Sequence, residues 1–163
     1  MNDCIVVGLS DYKISKASQV IATYALGSCV GTAIYDKGSG IGGLSHIMLP
    51  DSKMVKERGS VNRKKYANTA IPDMVDELVQ YGASRRNLRA KIAGGANMFG
   101  AQSLGTFGNI GERNVESVKK ELQKLGIPLI GEDTGANYGR TVFLDLESGV
   151  YRIKSIGKKI NEL

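Results

Sequence analysis

Two apolar runs held four residues apart constrain this chain more than any other feature. "VGTAIYD" (residues 30–36) and "IGGLSHIML" (residues 41–49) flank "KGSG", a turn composition that joins two strands into a hairpin. A four-residue turn over residues 37–40 sets Asp36 against Ile41, and counting back along the ladder places His46 opposite Gly31. Residues two apart on a strand share a face, so Cys29 lies on the face of Gly31 and His46. Diagonal neighbours in such a ladder are about 7–8 Å apart at Cα, within reach of longer side chains. Gly31 leaves room for an imidazole. A three-residue loop over residues 26–28 would bring Thr23 opposite Gly31 as well, whereas a two-residue loop would turn Thr23 to the far face.

His46 is the only histidine of the chain, and Cys29 is one of two cysteines. Two readings stand. In one, Cys29 is a packed thiol and His46 an incidental core residue. In the other they are a nucleophile and its base: a thiol of pKa about 8.5 becomes reactive beside an imidazolium. The turn would then offer the backbone N–H groups of Ser28 and Cys29 to an oxyanion, and a Thr23 hydroxyl would orient the ring. Cys4, inside the apolar run "CIVVGL", is expected in the core. Two cysteines and one histidine do not complete a four-ligand zinc site without carboxylates, so neither a metal nor a cofactor is expected.

The rest of the chain reads as further strands and two helices. Strands are expected at residues 4–9, 19–26 and 90–94, and at "IPLIGED", "RTVFLDLES" and "VYRIKSI". The early strands suggest an antiparallel meander. Residues 64–81 have helical apolar spacing, with a kink or restart at Pro72 and a stop at Gly82. Asn109 followed by Glu112 has capping-box spacing, opening a helix that ends at Gly126. The loop "GGANMFG" (residues 94–100) lacks the glycine spacing of a phosphate site. This is a mixed α/β pattern within one domain, residues 1–163.

The opening "MNDCIVVGLSDYK" has no basic region followed by a long apolar run, which predicts no export signal, a cytoplasmic protein and reduced thiols. Formal net charge is +6, and the middle third carries most of it: residues 51–100 hold ten basic side chains against five acidic ones. Such a patch suits an acidic protein or a nucleic acid, or is a solvated face. Aromatic residues are scarce among these charges, which argues against nucleic acid.

At "LGSCV" (residues 26–30), "YD" (35–36) and "GGLSHIMLP" (42–50), together with Thr23, the sequence resembles the CheD-type chemoreceptor glutamine deamidases. "KKYANTAI" (64–71) and "KIAGGANMF" (91–99) are similar too. The resemblance implies a three-layer α/β/α sandwich with a mixed, largely antiparallel sheet. It also implies a Cys29–His46–Thr23 triad acting on glutamine side chains of methyl-accepting chemoreceptors, with glutamyl methyl ester hydrolysis as a related activity. The implied partners are the receptor's cytoplasmic helical domain as substrate and a CheC-type phosphatase as regulator, with no membrane insertion. A binding module that regulates such a phosphatase without catalysis is the alternative.

Overall fold

The hairpin is the centre of the molecule. In the computed structural model, which describes residues 4–56, 59–98 and 108–163, strands β4 (Val30–Asp36) and β5 (Ile41–Ile47) pair antiparallel with Asp36 opposite Ile41 and Gly31 opposite His46. The turn is fixed by Asp36, whose Oδ1 accepts the Gly38 N–H at 3.0 Å and whose Oδ2 accepts the Ser39 hydroxyl at 2.9 Å. Each strand flank then recruits a neighbour. β2 (Tyr12–Lys16) pairs with β5, β6 (Arg89–Gly94) pairs antiparallel with β4, and β7 (Leu129–Thr134) adds in parallel to β6.

The remaining strands form a second sheet, not a continuation of the first. It runs β1 (Cys4–Val6), β3 (Val20–Leu26), β8 (Arg140–Asp145), β9 (Tyr151–Lys154), β10 (Asn161–Glu162). We call it sheet A and the hairpin sheet B. Sheet A is antiparallel except for the β1–β3 pair.

Strand alternation decides what each face of sheet B touches. Val30, Ile34, Ile41 and Ile47 point to α1 (Ala67–Tyr81) and α2 (Ile110–Leu125), where they bury Met74, Leu78, Val118 and Leu122. Ala33, Tyr35 and Leu44 point the other way, onto Ile21, Val142, Leu144 and Tyr151 of sheet A. The layers are therefore helices, sheet B, sheet A. This corrects the expected α/β/α order and the expected single sheet: a second sheet stands where a second helix layer was expected, because sheet A presents an apolar face that only sheet B covers. The expected early meander gives way in the same manner, since β3 pairs with β1 and β8 and leaves the hairpin to β2.

Helix α1 starts at Ala67, later than the expected residue 64, continues through Pro72 without a restart, and stops at Gly82. Helix α2 has the expected limits, but the capping box does not form. Asn109 sits in the left-handed region at φ 56° with no side-chain cap bond. The loop expected over residues 94–100 is described only to Met98.

Candidate active site

His46 is on the face of β5 that meets sheet A, and Thr23 is on the face of β3 that meets sheet B. They touch across the gap between the sheets. Thr23 Oγ1 lies 2.7 Å from His46 Nδ1 and 2.8 Å from the Val7 carbonyl oxygen, and both residues are buried. A hydroxyl has one proton. The Val7 carbonyl can only accept it, so Thr23 donates to Val7 and accepts from His46. The imidazole proton is thereby fixed on Nδ1. Nε2 carries the lone pair, is buried and has no hydrogen-bond partner among the described residues. Burial lowers the ring's pKa from 6.5 to about 4, so it is neutral at pH 7 and able to take a proton.

The route to this contact differs from the expected one. Thr23 does not face Gly31 in a shared ladder; its strand partner is Val142, and the register between Thr23 and Leu26 is interrupted at Ala25, which adopts φ 58°. Residues 26–28 cross from one sheet to the other, and do not close a hairpin. Sheet membership, set by partners more than 100 residues away, was not readable from the loop length.

Cys29 ends that crossing, half-buried and packed against the inter-sheet core beside the start of β4. Burial raises its thiol pKa from 9.0 to about 11. At pH 7 the thiol and the imidazole are thus both neutral and no thiolate–imidazolium pair pre-exists. The crossing loop is held by its carbonyls. Ala96 N–H donates to Gly27 O at 2.9 Å, Asn114 Nδ2 to Ser28 O at 3.0 Å, and Gly95 N–H to Cys29 O at 2.8 Å. With the carbonyls turned into the protein, the amide N–H groups of Ser28 and Cys29 donate to no described residue. Gly94 is required here: at φ 110° a Cβ would run into the Cys29 carbonyl.

Asn114 is a residue that sequence reasoning missed. It is fully buried on α2, and its Nδ2 also donates to Met48 O at 3.0 Å, tying the loop before Cys29 to the chain just after His46. Its signal was available: it is an amide on the apolar face of the helix, in line with Ile110 and Val118. Val7, whose carbonyl sets the tautomer, left no signal because any residue supplies a carbonyl. Cys4 was expected in the core and is exposed, because β1 is a three-residue edge strand. The cations of the middle third are dispersed. Arg63 pairs with Asp73, Lys64 with Asp11, and Lys91 is buried against the Gly149 and Leu163 carbonyls. No cluster of His, Cys, Asp and Glu suited to a metal occurs among the described residues, and no described helix is long and apolar enough to cross a membrane.

A cleft of about 350 Å³ opens over His46, walled by Val6, Val7, Gly8, Leu9, Tyr24 and Ala25. Its mouth is apolar. Cys29 is not in its wall, and among the described residues His46 Nε2 accepts no hydrogen bond from the Cys29 thiol; a thiol, a neutral base and backbone N–H donors are nevertheless the group types that acyl transfer from a small carbonyl group uses.

Comparison with known proteins gives the same direction. Residues 48–155 match the family model "CheD chemotactic sensory transduction". A probable chemoreceptor glutamine deamidase CheD of Moorella thermoacetica is 49% identical over 158 residues, covering 96% of this chain and 93% of its own length. One from Lachnoclostridium phytofermentans is 45% identical, covering 97% of each chain, and one from Pyrococcus abyssi is 44% identical, covering 93% and 91%. Thr23, Cys29 and His46 precede the family-model match and fall in the part reached by these longer alignments. Among solved structures, the hypothetical protein YfiH of Bacillus licheniformis aligns with a TM-score of 0.51 at 13% identity. That alignment covers 83% of this chain and spans 60% of the YfiH chain, a likeness of fold alone.

Proposed function

We propose, from the premise that this chain belongs to the CheD family, that it is a cysteine-dependent amidohydrolase converting glutamine side chains of chemoreceptors to glutamate. The observation that carries this reading is the His46 Nε2 lone pair, buried, unpartnered among the described residues and held in one tautomer by Thr23 and Val7.

Cys29 Sγ attacks the carboxamide carbon as His46 Nε2 takes the thiol proton. Because both groups start neutral, the proton moves during attack and not before it. The oxyanion is received by the Ser28 and Cys29 N–H groups. The C–N bond then breaks, and imidazolium returns its proton to the departing ammonia. Water enters next. His46 removes its proton, hydroxide adds to the thioester carbon, the C–S bond breaks, and the thiol is reprotonated. The sum is carboxamide plus water giving carboxylic acid plus ammonia. A glutamyl methyl ester passes through the same thioester, with methanol leaving in place of ammonia, so ester hydrolysis belongs to the same site. Residues 1–163 act as a single deamidase domain in the cytoplasm, and a CheC-type phosphatase is the regulatory partner.

The test is mass spectrometry of a chemoreceptor cytoplasmic fragment after incubation with wild type or Cys29→Ala, with ammonia assayed in the same tubes. The expected result is a gain of one carboxylate per converted glutamine, equimolar ammonia with wild type only, and unimpaired turnover in Cys4→Ala. Conversion by Cys29→Ala at the wild-type rate, or none by wild type on several receptor fragments, overturns the reading.

A further inference from the structure

Tyr24 stands where two clefts meet. One is the cleft over His46. The other, of about 450 Å³, lies along the outer face of sheet A and is walled by Tyr24, Ala25, Tyr138, Thr141, Lys154 and Ile156 among others. Tyr24 and Ala25 belong to both. Strand alternation explains the junction: Thr23 turns inward to His46, so Tyr24 turns outward, half exposed, with its ring edge-on to Phe143 at 6.1 Å.

The second cleft has an unbalanced charge. Lys154, in its wall, holds Nζ 5.0 Å from the Phe143 ring centre, and Lys158, outside the wall, holds Nζ 4.4 Å from the ring centre of Tyr138, which lies in it. A ring face holds an ammonium in place without cancelling its charge. Among the described residues neither lysine has a carboxylate partner, whereas Arg152 on the same face is matched by Glu162 at 2.9 Å and the buried Arg140 by Asp133 at 3.1 Å. Among the described residues no aspartate or glutamate walls the cleft. Ile156 is fully exposed at its rim.

We propose that this second cleft is a flanking subsite of the reaction centre. It holds acidic side chains of the substrate polypeptide next to the glutamine that enters the cleft over His46, and Tyr24 is the specificity-determining wall between the two positions. The assignment of the first cleft rests on the deamidase reading; the charge and shape of the second do not. Two fixed ammonium groups beside exposed apolar surface select a carboxylate-bearing, partly apolar segment. The selection is sensitive to salt because the charges are solvent-facing.

Binding is read by fluorescence anisotropy with Cys29→Ala and two labelled synthetic peptides, each with a central glutamine. One carries glutamates on one flank and the other serines. The glutamate peptide is expected to bind more tightly, and Lys154→Glu with Lys158→Glu to weaken it about five- to tenfold at low salt, a loss that shrinks as salt rises. Lys16→Glu with Lys37→Glu removes the same charge at the far end of the hairpin and is expected to cost less than about twofold. Equal losses from both pairs, no preference between peptides, or displacement of the glutamate peptide by a single-stranded oligonucleotide at matched ionic strength overturns the subsite. Ammonia release by wild type on the same peptides separates the two claims. A lysine-dependent preference without release supports the subsite and sinks the deamidase, and release with no lysine effect does the reverse.

Discussion

The two faces of sheet B are made by alternate residues of the same strands, yet they do different work. The helix-facing side is a continuous apolar surface in which Val30, Ile34, Ile41 and Ile47 meet α1 and α2. Two of its polar groups go unmet: the Thr32 and Ser45 hydroxyls face each other in register and find no hydrogen-bond partner among the described residues. The side that meets sheet A mixes Gly31, Ala33 and Gly42 with larger residues such as Tyr35 and Leu44, and several of its polar atoms are hydrogen-bonded. Thr23 meets His46, Tyr151 Oη donates to Gly31 O at 2.9 Å, and Lys91 Nζ donates to Gly149 O at 2.7 Å. Close approach at Gly31 makes this possible, since a Cβ there would lie 2.6 Å from Tyr151 Oη. One face supplies cohesion, and the other holds groups at set distances.

That division can be broken by experiment. The largest effect is expected for His46→Gln, which removes the base from the inter-sheet face: kcat should fall by about 10²–10⁴-fold with the thermal midpoint at pH 7 little changed. Turnover within tenfold of wild type would remove His46 from the chemistry. On the opposite face, Met74→Ala should cost about 2–5 kcal/mol in denaturant unfolding while kcat of the folded fraction stays put. A matching loss of kcat would mean the faces are coupled. Thr23→Val leaves the Val7 carbonyl and the ring N–H without their shared partner. We expect about a tenfold to hundredfold loss of kcat with little change in KM, largely rescued by Thr23→Ser. The smallest effect sharpens the picture of the resting site. With the Cys29 thiol at about 11 and His46 at about 4, iodoacetamide labelling of Cys29 should be slow at pH 7 and climb about tenfold per pH unit toward pH 11. An inflection below pH 7 would instead reveal a preformed ion pair.

The hairpin and its consequences were legible because a turn of fixed length sets every pairing behind it, and that reasoning placed His46 against Gly31 correctly. The helix C-termini were legible from Gly82 and Gly126. The strand "YKISK" (β2) was passed over because its apolar side is a tyrosine and an isoleucine among charges, too weak a pattern until β5 offers an edge. The Thr23–His46 contact was anticipated by a route that does not exist. The reason is physical: the loop after β3 has the same length whether it closes a hairpin or steps between sheets, and only β8, far along the chain, decides which. Cys4 was misjudged for a related reason, since an apolar run at a sheet edge buries only the residues its neighbours reach.

The reaction centre belongs to no single sheet. The base rides on one and the residue that aims it rides on the other. Held in register by packing, a few polar bonds and connecting loops such as residues 26–28, the two sheets form a vernier, in which a slip far smaller than any unfolding event misaligns the marks. Evolution of this protein is thereby tied to a translational degree of freedom: substitutions that let sheet A glide on sheet B, however harmless to either, are filtered as severely as changes to the reacting groups themselves.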